Sequence, residues 1–299
     1  MENVDRKGLS ITVIAALEDY LLDHVFENCA APRRQEIAAT HLAAFFGKTA
    51  LADVNIPMCR AYAAARRAGK VVSGLANVKG RRASDSTIRR ELTTLTSAAN
   101  HAKKWKRISP ADMPSIERTK ERGGFLEAGL AGEAKFFSRE QIALLLFHAR
   151  GQTRDIIKLC YYTAARRSSI EEITVGQIDF ARKKIDLATP GKKQTKKRQP
   201  VVPLFPVLEA DLRRLVVGKE PTDRLFKTRQ FPYQFNLTCR ALGFDEPHNP
   251  HMLRHSRATH LLQDGKKPYS VAALLGDTMA TVEANYGHHS PSELMEDLK

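Results

Sequence analysis

Along "STIRRELTTLTSAANHAKKWKRI", Ile88, Leu92, Leu95, Ala99 and Ala102 follow one another at steps of 4, 3, 4 and 3, with mostly polar or charged residues between them. That spacing lines one face of an α-helix and predicts a long amphipathic one. Two further helices precede it. "RRQEIAATHLAAFFG" follows Pro32, is rich in helix formers and stops at Gly47. "NIPMCRAYAAARRAG" offers Asn55 as an N-cap, Pro57 in the first turn and Gly69 at its end. Between the second and third helices, the Gly, Ser and Lys of "GKVVSGLANVKGRRASDS" mark a polar connection. The first hundred residues or so therefore read as helical.

The pattern then changes twice. "SPADMPSIERTKERGGFLEAGLAGEAK" mixes Pro, Gly and both signs of charge with little periodicity, which predicts a linker over roughly 108–135. After it, "SREQIALLLF" opens a new helix with Ser138 and Gln141 at capping-box spacing, and "TRDIIKLCYYTAARRSSIEEIT" continues helical. In "QIDFARKKIDLATPGKKQTKKRQPVVPL" apolar and polar residues alternate around a basic loop. Ile178, Phe180, Ile185 and Leu187 predict short strands and "VVPL" a third. From Pro206 onward helices return. The expected fold is mainly α: a helical domain over 1–107, a linker over 108–135, and a mostly α domain with one small antiparallel β-sheet over 136–299. No internal repeat or low-complexity tract interrupts it.

Composition narrows the partners. The 299 residues suit two domains, the 42% hydrophobic content provides a real core, and the 27% charged content provides a solvated surface. Lys and Arg outnumber Asp and Glu by 48 to 33, a net charge of +15 with a pI near 9.8. Such an excess attracts polyanions, chiefly nucleic acid or an anionic membrane surface. No apolar run reaches transmembrane length and no basic amphipathic anchor is present, so a membrane role is not expected. The apolar "LSITVIAAL" lacks a cleavage site and soon meets Glu18 and Asp19, which argues against a signal peptide. Cys29, Cys59, Cys160 and Cys239 are scattered without a CxxC pair, as expected of reduced, mostly buried thiols in a cytoplasmic protein.

Four separated elements carry candidate chemistry: "TAARRSSIEEIT" with Arg166, the basic loop "GKKQTKKR", "HMLRHSRATHLL" with His251 and Arg254, and "LGDTMATVEANYGHHS" with Asp277 and Tyr286. Singly, each has an ordinary explanation: a solvated Arg pair, a soluble turn, a helix cap, a packed ring. In combination and order they resemble the tyrosine recombinases of the phage-integrase family. That family has an Arg after "T-G-x", a Lys in a β-hairpin, an "H-x-L-R-H" box followed by "ATHLL", then "L-G-H" and a Tyr nine residues on. Here "TAAR" places the first Arg at Arg166, "HMLRH" supplies His251 and Arg254, "ATHLL" spans 258–262, and Tyr286 stands nine residues after Asp277. The resemblance covers the whole second domain, and the helical first domain looks like the family's DNA core-binding domain.

The chemistry fits those residue types. Breaking a phosphodiester piles negative charge on nonbridging oxygens, which two planar guanidiniums grip. Arg166 and Arg254 are the candidates, with His251 on the same helix face as Arg254. A tyrosine hydroxyl can attack and form a covalent phosphotyrosine, and a Lys can protonate the leaving 5′-oxygen. The sequence holds no metal-ligand cluster and no P-loop, and this chemistry needs no metal, nucleotide or other cofactor. The family's hairpin spacing points to Lys193 as the acid, with Lys192 and Lys196 as rivals. Lys192, Lys196, Lys197 and Arg198, together with Arg89, Arg90, Lys103 and Lys104 of the first domain, are expected DNA contacts.

Three positions depart from the family pattern. Ala164 replaces the common Gly; Ser169 stands where an acid is usual, so Glu171 or Glu172 substitutes or the brace is missing; Asp277 replaces the usual His or Trp. An ionised carboxylate donates nothing to a phosphate, so Asp277 either orients His251 or a basic residue or points away, and His288 or His289 could supply the missing donor. The resemblance implies a site-specific recombinase of a mobile element, bacterial or phage-encoded. It would close as a clamp on double-stranded DNA and act as a tetramer, with possible accessory DNA-bending or directionality factors. A catalytically impaired DNA-binding relative and a type IB topoisomerase are the alternatives. The closing "SPSELMEDLK" is amphipathic and packs on its own domain or on a neighbouring protomer.

Overall fold

Capping and breaking residues set the first helices. The computed structural model describes residues 11–29, 32–72, 81–116, 125–126, 135–189, 191, 199–227, 230–244 and 248–286. The chain divides into two units, Met1–Leu130 and Ala131–Lys299. In the first, α1 (Val13–Tyr20) is capped by Thr12, whose Oγ1 accepts from the Ala15 N–H at 3.3 Å, and runs through a π-helical stretch, Leu21–Val25, into α2 (Phe26–Asn28). α3 (Pro32–Phe46) ends just before Gly47. α4 (Ile56–Arg67) starts at Asn55, which accepts from the Met58 N–H at 3.1 Å. α5 (Asp85–Lys104) buries Ile88, Leu92, Leu95, Ala99 and Ala102, the face its periodicity predicts.

A buried polar group fastens α4 to α5. The Arg66 guanidinium donates to both Glu91 oxygens, at 2.7 and 3.0 Å, and Tyr62 Oη donates to the same carboxylate at 2.8 Å. Arg66 and Glu91 are each only 4% exposed, so the charges stand because each is paired and hydrogen-bonded. Several residues of the expected linker pack on this first unit. Ile108, Met113, Ile116 and Phe125 pack against this unit's core, Leu126 is buried in it, and the Ser115 N–H donates to the Val54 carbonyl at 3.0 Å. These apolar side chains share no helical or strand period, so only packing discloses them.

The second unit is built as helix, sheet, helix. α6 (Arg139–His148) has the capping box: Ser138 Oγ accepts from the Gln141 N–H at 3.2 Å and Gln141 Oε1 from the Ser138 N–H at 2.9 Å. α7 (Gly151–Thr163) and the short α8 (Arg167–Glu171) follow. Strands β1 (Ile178–Asp179), β2 (Lys184–Asp186) and β3 (Val201–Pro203) pair antiparallel in that order, with Ile185 opposite both Ile178 and Val202. Then come α9 (Pro206–Val216), α10 (Phe231–Ala241), α11 (His251–Gln263), α12 (Pro268–Leu275) and α13 (Met279–Tyr286). Ile156, Ile157, Ile170, Phe231, Phe235 and Leu253 fill the main core. A second cluster, with Ala164, Ala258, Leu262, Val271, Leu275, Val282 and Tyr286, gathers the last three helices around the end of α7. Cys59, Cys160 and Cys239 are buried and Cys29 is half-buried, and none of the four forms a disulfide. Among the described residues no helix is long and apolar enough to cross a membrane.

Candidate active site

Arg254 stands one turn into α11 and is 3% exposed. Its Nη1 donates to the Ala164 carbonyl at 2.8 Å; its Nη2 donates to the Leu275 carbonyl at 2.9 Å and to Asp277 Oδ2. Local backbone geometry presents these acceptors. α7 stops because Ala164 turns left-handed, at φ 51. That conformation costs an L-residue on the order of 1–2 kcal/mol, and the methyl keeps the clash small. On the other side α12 ends at Gly276, at φ 63, where the missing Cβ removes the penalty and the chain reverses to carry Asp277 back. Burial pushes the Arg254 guanidinium down and Asp277 opposes it; it stays charged at neutral pH.

Arg166, immediately before α8, completes the group. Its Nη2 donates to Asp277 Oδ1 at 3.0 Å. One carboxylate thus bridges two guanidiniums, one oxygen to each. Asp277 is paired with cations, neither turned away nor hydrogen-bonded to His251. Planar, charge-assisted pairing of this kind also suits the nonbridging oxygens of a phosphodiester. A cleft of about 600 Å³ opens here, lined by Arg166, His251, Arg254, His255, Asp277 and Tyr286 among others.

Tyr286 closes α13 and is 4% exposed. Burial pushes its phenol up to about 12, Asp277 adds to this, and Arg254 opposes it. Its Oη lies 2.5 Å from His255 Nδ1, with the two rings 5.7 Å apart. Burial, then Arg254, push the His255 imidazole down, and Asp277 opposes them. His251 sits a turn earlier, its ring 4.7 Å from that of His255. Its ring is pushed down to about 4 by burial, then by His255, Arg254 and Arg166, with Asp277 opposing. His251 is therefore neutral at pH 7.

The expected site residues divide into three sets. Arg166, His251, Arg254, Asp277 and Tyr286 come together in the cleft from three separate stretches of chain. Arg89, Arg90, Lys103 and Lys104 lie on α5 of the other unit, the first pair about 21 Å along the axis from the second. Lys192, Lys193, Lys196, Lys197 and Arg198, between β2 and β3 in sequence, lie outside the described residues, as do His288, His289 and the closing segment. His255 is the residue that sequence reasoning passed over. Its signal was its place in "HMLRH", at i+4 from His251, which puts both on one face of α11.

The neighbours of the clamp also differ from expectation. Ser169 is buried and accepts from Gln199 Nε2 at 2.9 Å. Glu171 pairs with Arg167 at 3.6 Å, and Glu172 accepts from Thr189 at 3.5 Å. Arg166 itself donates to the carboxylate of Asp277, a residue far along the chain. Tyr161 and Tyr162 belong to the helix packing instead: Tyr161 Oη meets His260 Nδ1 at 2.8 Å, and Arg257 lies over both rings.

Known proteins resemble this chain in sequence and in fold. A sequence model described as the phage integrase family matches residues 135–293. The chain is 29% identical over 173 residues to the integrase of Escherichia phage P2, covering 56% of this chain and 46% of that protein. It is 28% identical over 204 residues to tyrosine recombinase XerC of Corynebacterium glutamicum, covering 63% of this chain and 60% of that one. The chain thus spans roughly half the length of these relatives. Among solved structures, the Tn1549 transposon integrase in complex with transposon right-end DNA is similar at a TM-score of 0.69 and 15% identity, over 96% of this chain and 99% of that one. XerH site-specific recombinase bound to a palindromic difH substrate is similar at 0.67 and 16% identity, over 94% of this chain and 83% of that one. At such identities the likeness is one of fold.

Proposed function

This chain belongs to the phage integrase family, the family of the tyrosine recombinases, and from that premise we propose that it is a site-specific DNA recombinase. It cleaves and rejoins strands through a covalent 3′-phosphotyrosine on Tyr286 and serves the integration or excision of a mobile element. One piece of geometry carries the proposal: two guanidiniums converge on a single carboxylate beside a buried tyrosine hydroxyl. The carboxylate marks an anion seat. The scissile phosphate takes that seat, with Arg166 and Arg254 on its nonbridging oxygens where charge grows in the transition state. Tyr286 attacks phosphorus, and Lys193 protonates the leaving 5′-oxygen, with Lys192 and Lys196 as alternatives. The net charge of +15 suits a duplex DNA partner, and the Tn1549 and XerH neighbours are both DNA complexes. Recombination joins two duplexes, so the working assembly is a tetramer on DNA.

The seated Asp277 favours one alternative, a DNA-binding relative whose clamp is blocked by its own carboxylate. A nicked suicide duplex separates the two. The recombinase accumulates a covalent protein–DNA adduct that Tyr286→Phe abolishes while DNA affinity persists. The blocked relative binds the duplex and forms no adduct.

A further inference from the structure

The phenol of Tyr286 is protonated at neutral pH, so its attack on phosphorus needs a proton acceptor within reach. Three groups in the cleft are candidates. Asp277 has an oxygen on each of two guanidiniums. His251 faces the ring of His255, which stands between it and Tyr286 in the run of ring contacts. His255 alone places a nitrogen on the phenol oxygen, Nδ1 to Oη at 2.5 Å. This placement follows from the helix: His251, Arg254 and His255 are at i, i+3 and i+4, so the face of α11 that seats the arginine also aims the second imidazole at the end of α13.

We propose that His255 is a catalytic residue, the general base that takes the proton of Tyr286 in strand cleavage and returns it in religation. The step rests on the reading of Tyr286 as nucleophile. As the Oη–P bond forms, the Oη proton passes to Nδ1. The bond from phosphorus to the 5′-oxygen breaks, its electron pair stays on that oxygen, and the general acid of the proposed reaction protonates it. In religation the 5′-hydroxyl attacks the phosphotyrosine and gives its proton back to that acid, the Oη–P bond breaks, and the imidazolium returns its proton to Oη. The charged and titratable groups facing His255 are His251 and Arg254 from its own helix, Asp277 from the turn after α12, and Tyr286 from α13. Burial and Arg254 keep the imidazole neutral and ready to accept. A phosphate in the seat of Asp277 preserves an anion next to the imidazolium that forms.

The test is single-turnover cleavage by the full chain of a nicked duplex carrying its mapped attachment site. The duplex is made with the natural 5′-oxygen and with a bridging 5′-sulfur, which needs no acid. His255→Ala is expected to cleave both about 10²–10⁴-fold more slowly than wild type at unchanged DNA affinity. Added imidazoles should restore the rate, and more so as their own pKa rises. His255→Gln, which leaves no space for imidazole, checks the same point if the alanine variant folds poorly. Its rate should climb with pH where the wild type has levelled off above the pKa of His255. Cleavage by His255→Ala near the wild-type rate overturns the proposal. So does a slow His255→Ala that no imidazole rescues, since that residue would only hold Tyr286 in place. Absence of any wild-type adduct, or an adduct retained by Tyr286→Phe, would instead remove the nucleophile reading on which the proposal rests.

Discussion

Arg254 and Arg166 share a carboxylate but not an environment, and their substitutions should separate. Arg254 is almost fully buried, and its removal leaves Asp277 Oδ2 and the carbonyls of Ala164 and Leu275 without this donor. Breaking a buried pair of this kind costs about 3–5 kcal/mol. Arg254→Ala should therefore lower the melting temperature clearly as well as cut cleavage about 10²–10³-fold. Arg166→Ala, at a more open site, should cut cleavage to a similar degree and shift stability by under about 1 kcal/mol. Thermal melting beside single-turnover rates checks both; equal stability losses would mean the two arginines are equally structural. Asp277 has a split role. Asp277→Asn removes the counter-charge of Arg254, so the free protein should melt lower, while the emptied seat should let DNA raise its melting temperature by more than in wild type. Asp277→His should keep cleavage or raise it. A histidine variant that folds and binds DNA yet cannot cleave would show that the carboxylate has a chemical task of its own. Arg166, His251, Arg254, Asp277 and Tyr286 were legible through their order and spacing. The bridge made by Asp277 was not, because it depends on left-handed turns at Ala164 and Gly276 that bring residues over a hundred positions apart into contact.

At the scale of elements, helices with a strong period and an orthodox cap were legible from local chemistry alone. α5 buries the predicted stripe, and Ser138 with Gln141 forms the box its spacing suggests. The β-sheet was legible as alternation, its register being fixed by Ile178, Ile185 and Val202 on one buried face. The packing of Ile108, Met113, Ile116, Phe125 and Leu126 was not, because Pro, Gly and charge dominate the composition around these scattered apolar side chains. The α4–α5 lock was equally hidden: a Tyr, an Arg and a Glu on two amphipathic helices give no sign of meeting. Glu91→Ala, which strands a buried guanidinium, should cost about 3–5 kcal/mol in denaturant unfolding and lower hydrogen-exchange protection in α4 and α5 first. Replacing Arg66 and Glu91 together by apolar residues of similar volume should cost far less. A loss under about 1 kcal/mol for Glu91→Ala would mean that the pair is solvated in solution.

For the whole molecule, 48 basic residues against 33 acidic ones make electrostatics the first term in gripping the proposed duplex partner. If six to ten phosphates are contacted, affinity should fall about 10³–10⁵-fold between 50 and 200 mM salt. A shallow dependence in a titration series would contradict a phosphate-gripping interface. The stretch "KKIDLATPGKKQTKKR", with seven basic residues and one acid, should carry part of that slope, and neutralising its lysines should flatten it. Everything converges on one covalent bond. The most direct measurement is mass spectrometry of the proteolysed adduct between the full chain and a nicked duplex carrying its attachment site. The expected result is a nucleotide-bearing peptide modified at Tyr286. DNA attached instead at Tyr161 or Tyr162, or bound tightly with no peptide modified at all, would contradict the assignment of Tyr286 as nucleophile.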